Sequence, residues 1–225
     1  MPDQPVRQPP RRPQISREYL EQHRRRRYVN ASAELLHEFG HEGPTVSNIV
    51  RMAGTARNSF YEVFSGAPDC IAYGIGVAVD QLFEGLDGPG GEGEWAAEVD
   101  QAIAGLYAAV VEDPILAELF LIHAAASRVE HGREAARRGA EAFTSLFDRG
   151  REEAEGRGLR PPPGPAAEFF SLAVLSPAAR RVRGPEPETL VTEARPMAAL
   201  VVGAYLGSEA ADELLGRVAA APARI

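Results

Sequence analysis

Residues 24–70 read RRRRYVNASAELLHEFGHEGPTVSNIVRMAGTARNSFYEVFSGAPDC. Upstream of the first glycine, Leu20, Tyr28, Ala31, Leu35, Leu36 and Phe39 recur at the three- and four-residue spacing of one helix face, and Ser16 is placed to cap the start. Gly40 stands where a left-handed residue ends such a helix. A short second helix is expected next, with Thr45 as its cap, Val46, Ile49 and Met52 as its inward row and Gly54 as its interruption. Thr55 can cap a third, over 56–64, whose inward row is Phe60, Val63 and Phe64. Two short helices joined through a glycine-bearing turn and preceded by a longer one make a helix-turn-helix unit.

Working outward, residues 1–15 hold five prolines and three arginines with no apolar periodicity, which reads as a disordered basic arm; residues 16–66 are the helix-turn-helix domain. Beyond Gly66, Pro68 and Asp69 suit the first turn of a fourth helix running to about Leu86, followed by the linker GPGGEGE. Helical patterns resume at 95–111, 114–128, 132–156, 165–182 and 188–206, with a short one at 212–220, and Pro/Gly clusters at 160–164 and 183–187 separate them. No stretch alternates as a strand. The fold class is therefore all-α, with residues 67–225 forming an antiparallel helical body.

Charge divides along the same line. The chain carries −8 overall, but residues 1–65 hold ten arginines against seven acids, a net +3, which leaves −11 for the remainder. A basic head on an acidic body is the footprint of a protein that docks one end on phosphates. The uncharged runs near 71–79 and 119–126 are too short to span a membrane, the N-terminal residues lack the apolar core of a secretory signal, and Cys70 is the single cysteine. A cytoplasmic protein without a membrane partner is expected.

The stretch 24–70 resembles the N-terminal pattern of the tetracycline-repressor (TetR) family through Ala31, Leu35, Gly40, Thr45-Val46, Ile49, Ala53-Gly54, Phe60-Tyr61 and Phe64. The segment 199–207, ALVVGAYLG, looks like the family's last dimerising helix. The resemblance implies a homodimeric transcriptional regulator that is not an enzyme and uses no cofactor. Its partners would be a palindromic double-stranded DNA operator and an unidentified small-molecule ligand that releases the repressor. Two departures stand out: Thr55-Ala56 replaces the usual apolar residue and serine, and Ala67 replaces a phosphate-contacting lysine. Phosphate contact must then fall to the arm, to Arg24–Arg27, to Thr45, to Tyr61 and to the backbone amides of the fourth helix's first turn, of which Pro68 removes one.

On the third helix Arg57, Asn58 and Ser59 are the outward residues: arginine can fork onto guanine, asparagine onto adenine, and serine onto base edges or phosphate. Tyr61, Thr45 and Thr55 complete the expected DNA contacts, and Arg12 of the arm can enter a minor groove. In the body, Trp95, Phe120, His123, Phe143, Phe147 and Phe170 are the candidates for a ligand cavity, since such cavities combine aromatic walls with few polar groups. A regulator without a small-molecule ligand is the first alternative. A zinc hydrolase is the second, because His37, Glu38 and His41 spell H-E-x-x-H; that site needs an unbroken helix, and Gly40 interrupts it. The segment 88–93 matches G-x-G-x-x-G but follows no strand, and it reads as a linker.

Overall fold

The computed structural model describes residues 17–83 and 94–216, and the arm, the 84–93 linker and residues 217–225 lie outside them. Arg12, the G-x-G-x-x-G segment and the end of the expected 212–220 helix therefore fall outside the described residues.

Ten α-helices form among the described residues, and no strand. In the head, α1 (Arg17–Phe39) is followed by a 3-10 turn (Gly40–Glu42), α2 (Val46–Met52) and α3 (Arg57–Tyr61). Gly40 has φ +64° and ends α1 as the sequence requires. Thr45 caps α2, its hydroxyl accepting from the Asn48 N–H at 3.2 Å. Gly54 (φ +61°) closes α2: the Gly54 N–H donates to the Arg51 carbonyl and the Thr55 N–H to the Val50 carbonyl, which turns the chain into α3. Two expectations shift here. Ala56, not Thr55, occupies the cap position of α3, without a side-chain bond, and α3 ends at Tyr61, leaving Val63 and Phe64 in the turn behind it.

The head closes around Tyr28, which is fully buried and meets Phe60 and Phe64 edge-on with centroids at 5.1 and 6.3 Å. From there α4 (Ala67–Leu82) leads into the body, its start fastened by Asp69, whose Oδ2 accepts from the Ser65 N–H at 2.8 Å and from the Ser65 hydroxyl. The body contains α5 (Trp95–Glu112), α6 (Pro114–Glu118), α7 (Glu130–Gly156), α8 (Ala166–Arg181), α9 (Thr189–Leu206) and α10 (Ser208–Gly216). Here α5 and α10 lie along α9, α7 lies along α4 and α8, and α1 and α4 join head to body.

The largest departure from the sequence reading is at 114–128. One helix was expected there, but the α-helix stops at Glu118 and continues as a π-helical turn (Leu119–His123) and a 3-10 turn (Ala124–Ala126). Residues five apart align along a π turn, whereas in an α-helix they diverge by more than a third of a turn. His123 is thereby carried over Glu118.

Candidate nucleic-acid interface

The third helix has two distinct faces. Phe60 is fully buried against Tyr28 and Phe64, while Arg57, Asn58 and Tyr61 are exposed and Ser59 is half-buried. Arg57 lies over the Tyr61 ring at 5.8 Å from its centroid, and its Nη2 donates to the Tyr61 hydroxyl at 3.4 Å, so one outward pair joins a guanidinium to a phenol. On α2, Ser47 and Arg51 are exposed on the outer side, and Asn48 is held in place, donating to the Gly43 carbonyl at 2.9 Å and accepting from Arg51 at 3.1 Å. Thr45 is exposed at the start of α2. The Thr55 hydroxyl is buried and meets no partner among the described residues, so this side chain faces the interior of the turn rather than a phosphate.

The arginine run of α1 is largely committed inside the head. Arg24 pairs with Glu62 at 2.6 Å, Arg25 pairs with Glu21 at 2.8 Å and covers the rings of Phe64 and Tyr73, and Arg27 donates to the Ala53 carbonyl. These contacts brace α1 on the helix-turn-helix, a role that the basic run alone did not reveal. With them in place, Arg51 and Arg57 are the exposed cations nearest the outer face of α2 and α3.

The body residues singled out by sequence fall into two groups. Phe120, Phe83, Phe143, Phe147, Phe170, Tyr205 and Trp95 touch in that order, with successive centroids 5.2–6.4 Å apart. Five of the six candidates thus lie in one aromatic seam. Along it, Trp95 donates to the Leu146 carbonyl at 2.9 Å, while the buried Tyr205 hydroxyl has no partner among the described residues. Glycines let the rings approach α7: a Cβ at Gly139 would meet Phe120 Cζ at 2.8 Å, and one at Gly150 would meet Trp95 Cη2 at 2.6 Å.

His123 belongs elsewhere. It sits at the head–body junction, where its Nε2–H donates to Glu118 Oε1 at 3.1 Å. The Glu118 side chain is 2% exposed and also accepts from His37 Nδ1 of α1 at 2.7 Å and from Arg183, in the turn after α8. Burial pushes the Glu118 carboxyl up, and the hydrogen bonds from Arg183, His37 and His123 more than reverse this, holding it at about 2. Burial pushes His123 the other way, below its ordinary value, against the pull of Glu118. His41 completes the cluster, its ring edge-on to His123 at 5.0 Å. No element of the sequence pairs Glu118 with Arg183, sixty-five positions on.

This geometry gives the H-E-x-x-H alternative no support, and Gly40 breaks the helix where the sequence places the interruption. With Gly40 left-handed, His41 leaves the helix on which His37 stands; His37 is committed to Glu118, and Glu38 is exposed. Among the described residues no group of three or more histidines, cysteines or carboxylates is arranged to hold a metal ion.

A helix-turn-helix head carried by a long first helix on an all-helical body is a two-part all-α architecture. More particularly, the fold is that of the TetR-family regulators. The chain is similar to the fatty acid degradation regulator FadR of Bacillus halodurans, with TM-score 0.63 and 17% identity over 79% of this chain and 97% of that one. It is similar to FadR of Bacillus subtilis, solved with stearoyl-CoA, with TM-score 0.57 and 16% identity over 80% and 98%. A TetR-family regulator of Streptomyces coelicolor gives TM-score 0.58 and 18% identity over 80% and 90%. No family sequence model and no curated protein sequence matches the chain.

Proposed function

We propose that the chain is a homodimeric DNA-binding transcriptional regulator, not an enzyme, that reads a near-palindromic operator and is released from it by a small molecule held in the body. The observation that carries this reading is the two-sided third helix. Phe60 anchors one face, and Arg57, Asn58 and Tyr61 stand in solvent on the other, where base edges and phosphates would meet them. Thr45 and Ser59 are assigned to the same surface, and Arg12 to an adjacent minor groove.

Dimerisation is supported by the apolar surface of α8 and α9. Phe169 and Leu172, one turn apart on α8, and Leu200 on α9 are all more than half exposed. Such a face is best covered by its own copy about a two-fold axis. Two heads would then enter successive major grooves about one helical turn apart.

For the ligand, the aromatic seam with the unpartnered Tyr205 hydroxyl between Phe170 and Trp95 supports a mostly apolar guest with one polar contact. One structure of the same fold holds stearoyl-CoA, so long-chain acyl-CoA is the first class to titrate. A regulator without a small-molecule ligand is the second reading; the contact of Phe120 with Gly139 and of Trp95 with Gly150, which leaves the rings on the α7 backbone, favours it. No helix among the described residues is long and apolar enough to cross a membrane, and the buried thiol of Cys70 suits a reducing, cytoplasmic setting.

Selection of bound sequences from a random DNA pool, at near-physiological salt, tests the central claim. Enrichment of a near-palindrome that Arg57→Ala abolishes supports it. Binding that is weak, steeply salt-dependent and without sequence preference would refute it.

A further inference from the structure

Between head and body lies a cavity of about 260 Å³, partly open to solvent and bounded by α1, α4 and the link from α5 into α6. Val29, Val77 and Leu116 give it an apolar floor, and around them stand the amides of Gln22, Asn30 and Gln81 and the side chain of Tyr73. Two charges complete the wall: Arg26 from α1, and Asp113 from the residue that caps α6.

These two charges do not pair with each other. Asp113 Oδ1 accepts the Leu116 N–H at 3.0 Å, and no cation meets the carboxylate among the described residues. Arg26 is the member of the run Arg24–Arg27 that has no hydrogen-bond or ionic partner among the described residues, its three neighbours being held by Glu62, Glu21 and the Ala53 carbonyl. A cation and an anion thus face one small space without neutralising each other, ringed by groups that can both donate and accept. A phosphate would be repelled by Asp113, and an apolar molecule would meet Val29, Val77 and Leu116 but use none of the polar groups of the wall. The volume is below the roughly 300–1,000 Å³ of sites for drug-sized ligands. What fits is a compact molecule with its own carboxylate and ammonium.

The position of the cavity bears on the head. Helix α6 is five residues long; the cavity touches its start, through Asp113 and Leu116, and its last residue, Glu118, is bound to His37 of α1. A guest joining Arg26 to Asp113 would tie α1 to the other end of the same strut.

We propose that this cavity binds a small zwitterion of the α-amino-acid kind, carboxylate on Arg26 and ammonium on Asp113, and that the bound molecule fixes the angle of the head on the body. The regulatory half of this statement rests on the DNA-binding reading above; the binding half does not.

The test is thermal unfolding of the full chain with each of the common L-amino acids at about 10 mM, tenfold above a millimolar Kd. At least one should raise Tm by about 3–6 °C, as ligand linkage predicts for a chain of this size. The N-acetylated form of the same amino acid, which has no ammonium, should give no shift. Asp113→Asn keeps an oxygen for the Leu116 N–H and loses the charge, and Arg26→Gln removes the cation; each should abolish the shift while leaving the ligand-free Tm within a few degrees. The proposal is overturned if no amino acid moves the wild-type Tm, or if the shift survives both variants or N-acetylation. An operator selected normally with no amino-acid shift would remove this proposal alone. A shift that obeys both variants, in a chain that selects no operator, would keep the binding site and remove the DNA-binding reading with its regulatory consequence.

Discussion

Substituting Glu118→Gln tests whether the junction is held by charge or only by shape. The carboxylate is held at about 2 against an ordinary 4.5, which at ~1.36 kcal/mol per pH unit corresponds to roughly 3 kcal/mol of preference for the ionised form. The carboxylate itself is buried, but the His37 and Arg183 side chains that bond it are 45% and 43% exposed, and solvent screening brings the net loss to about 1–2 kcal/mol. Glutamine keeps the shape and one acceptor, and turns an amide toward donors that need a carboxylate. A folded-state value below the unfolded one means that the contribution is complete above about pH 4.5 and is lost as pH falls toward about 2. Urea unfolding at about pH 7 should therefore place the variant about 1–2 kcal/mol below wild type, with the gap narrowing by about pH 3. A gap of equal size at both pH values, or no gap at neutral pH, would show that the ionised carboxylate does not hold the junction.

Other substitutions address the remaining assignments. Arg57→Ala should cost about 1–3 kcal/mol on the selected operator and little on scrambled DNA, whereas Tyr61→Phe should weaken both alike; competition binding at fixed salt separates the two. Leu200→Arg places a charge in the exposed apolar face of α9 and should turn the dimer into a monomer in analytical ultracentrifugation; an unchanged mass would exclude that face as the interface. Gly150→Ala drives a Cβ into the Trp95 ring and should destabilise by about 1–3 kcal/mol, despite alanine's better helix propensity, with the Trp95 fluorescence altered. Because burial keeps His123 below its ordinary 6.5, the unfolded chain takes up its proton first, so stability should fall as pH drops below about 6.5; His123→Phe should flatten that limb in a pH series of Tm.

The head was legible because its signals are local. Gly40 and Gly54 are required by left-handed backbone, Thr45 by an unpaired amide in the first turn of α2, and Phe60 by a period that brings it under Tyr28, so each could be read within a few residues of itself. The cap of the third helix was displaced by one residue because Thr55 and Ala56 are both compatible with the turn; packing buries the threonine hydroxyl instead of leaving it at the cap. The arginine run shows the limit of reading charge along the chain, since Arg24 finds Glu62 only once α1 lies against the third helix, and a residue counted as a phosphate donor becomes a brace. The junction was beyond reach for the same reason in stronger form. Nothing in Leu119-Phe-Leu-Ile-His123 distinguishes a π turn from an α-helix, and its consequence, His123 over Glu118, depends on Arg183 and His37 arriving from distant segments. His123 was recognisable as a polar residue in an apolar run, but not as part of a junction: the sequence pattern says that a buried histidine needs a partner, and only the fold says that the partner joins the head to the body.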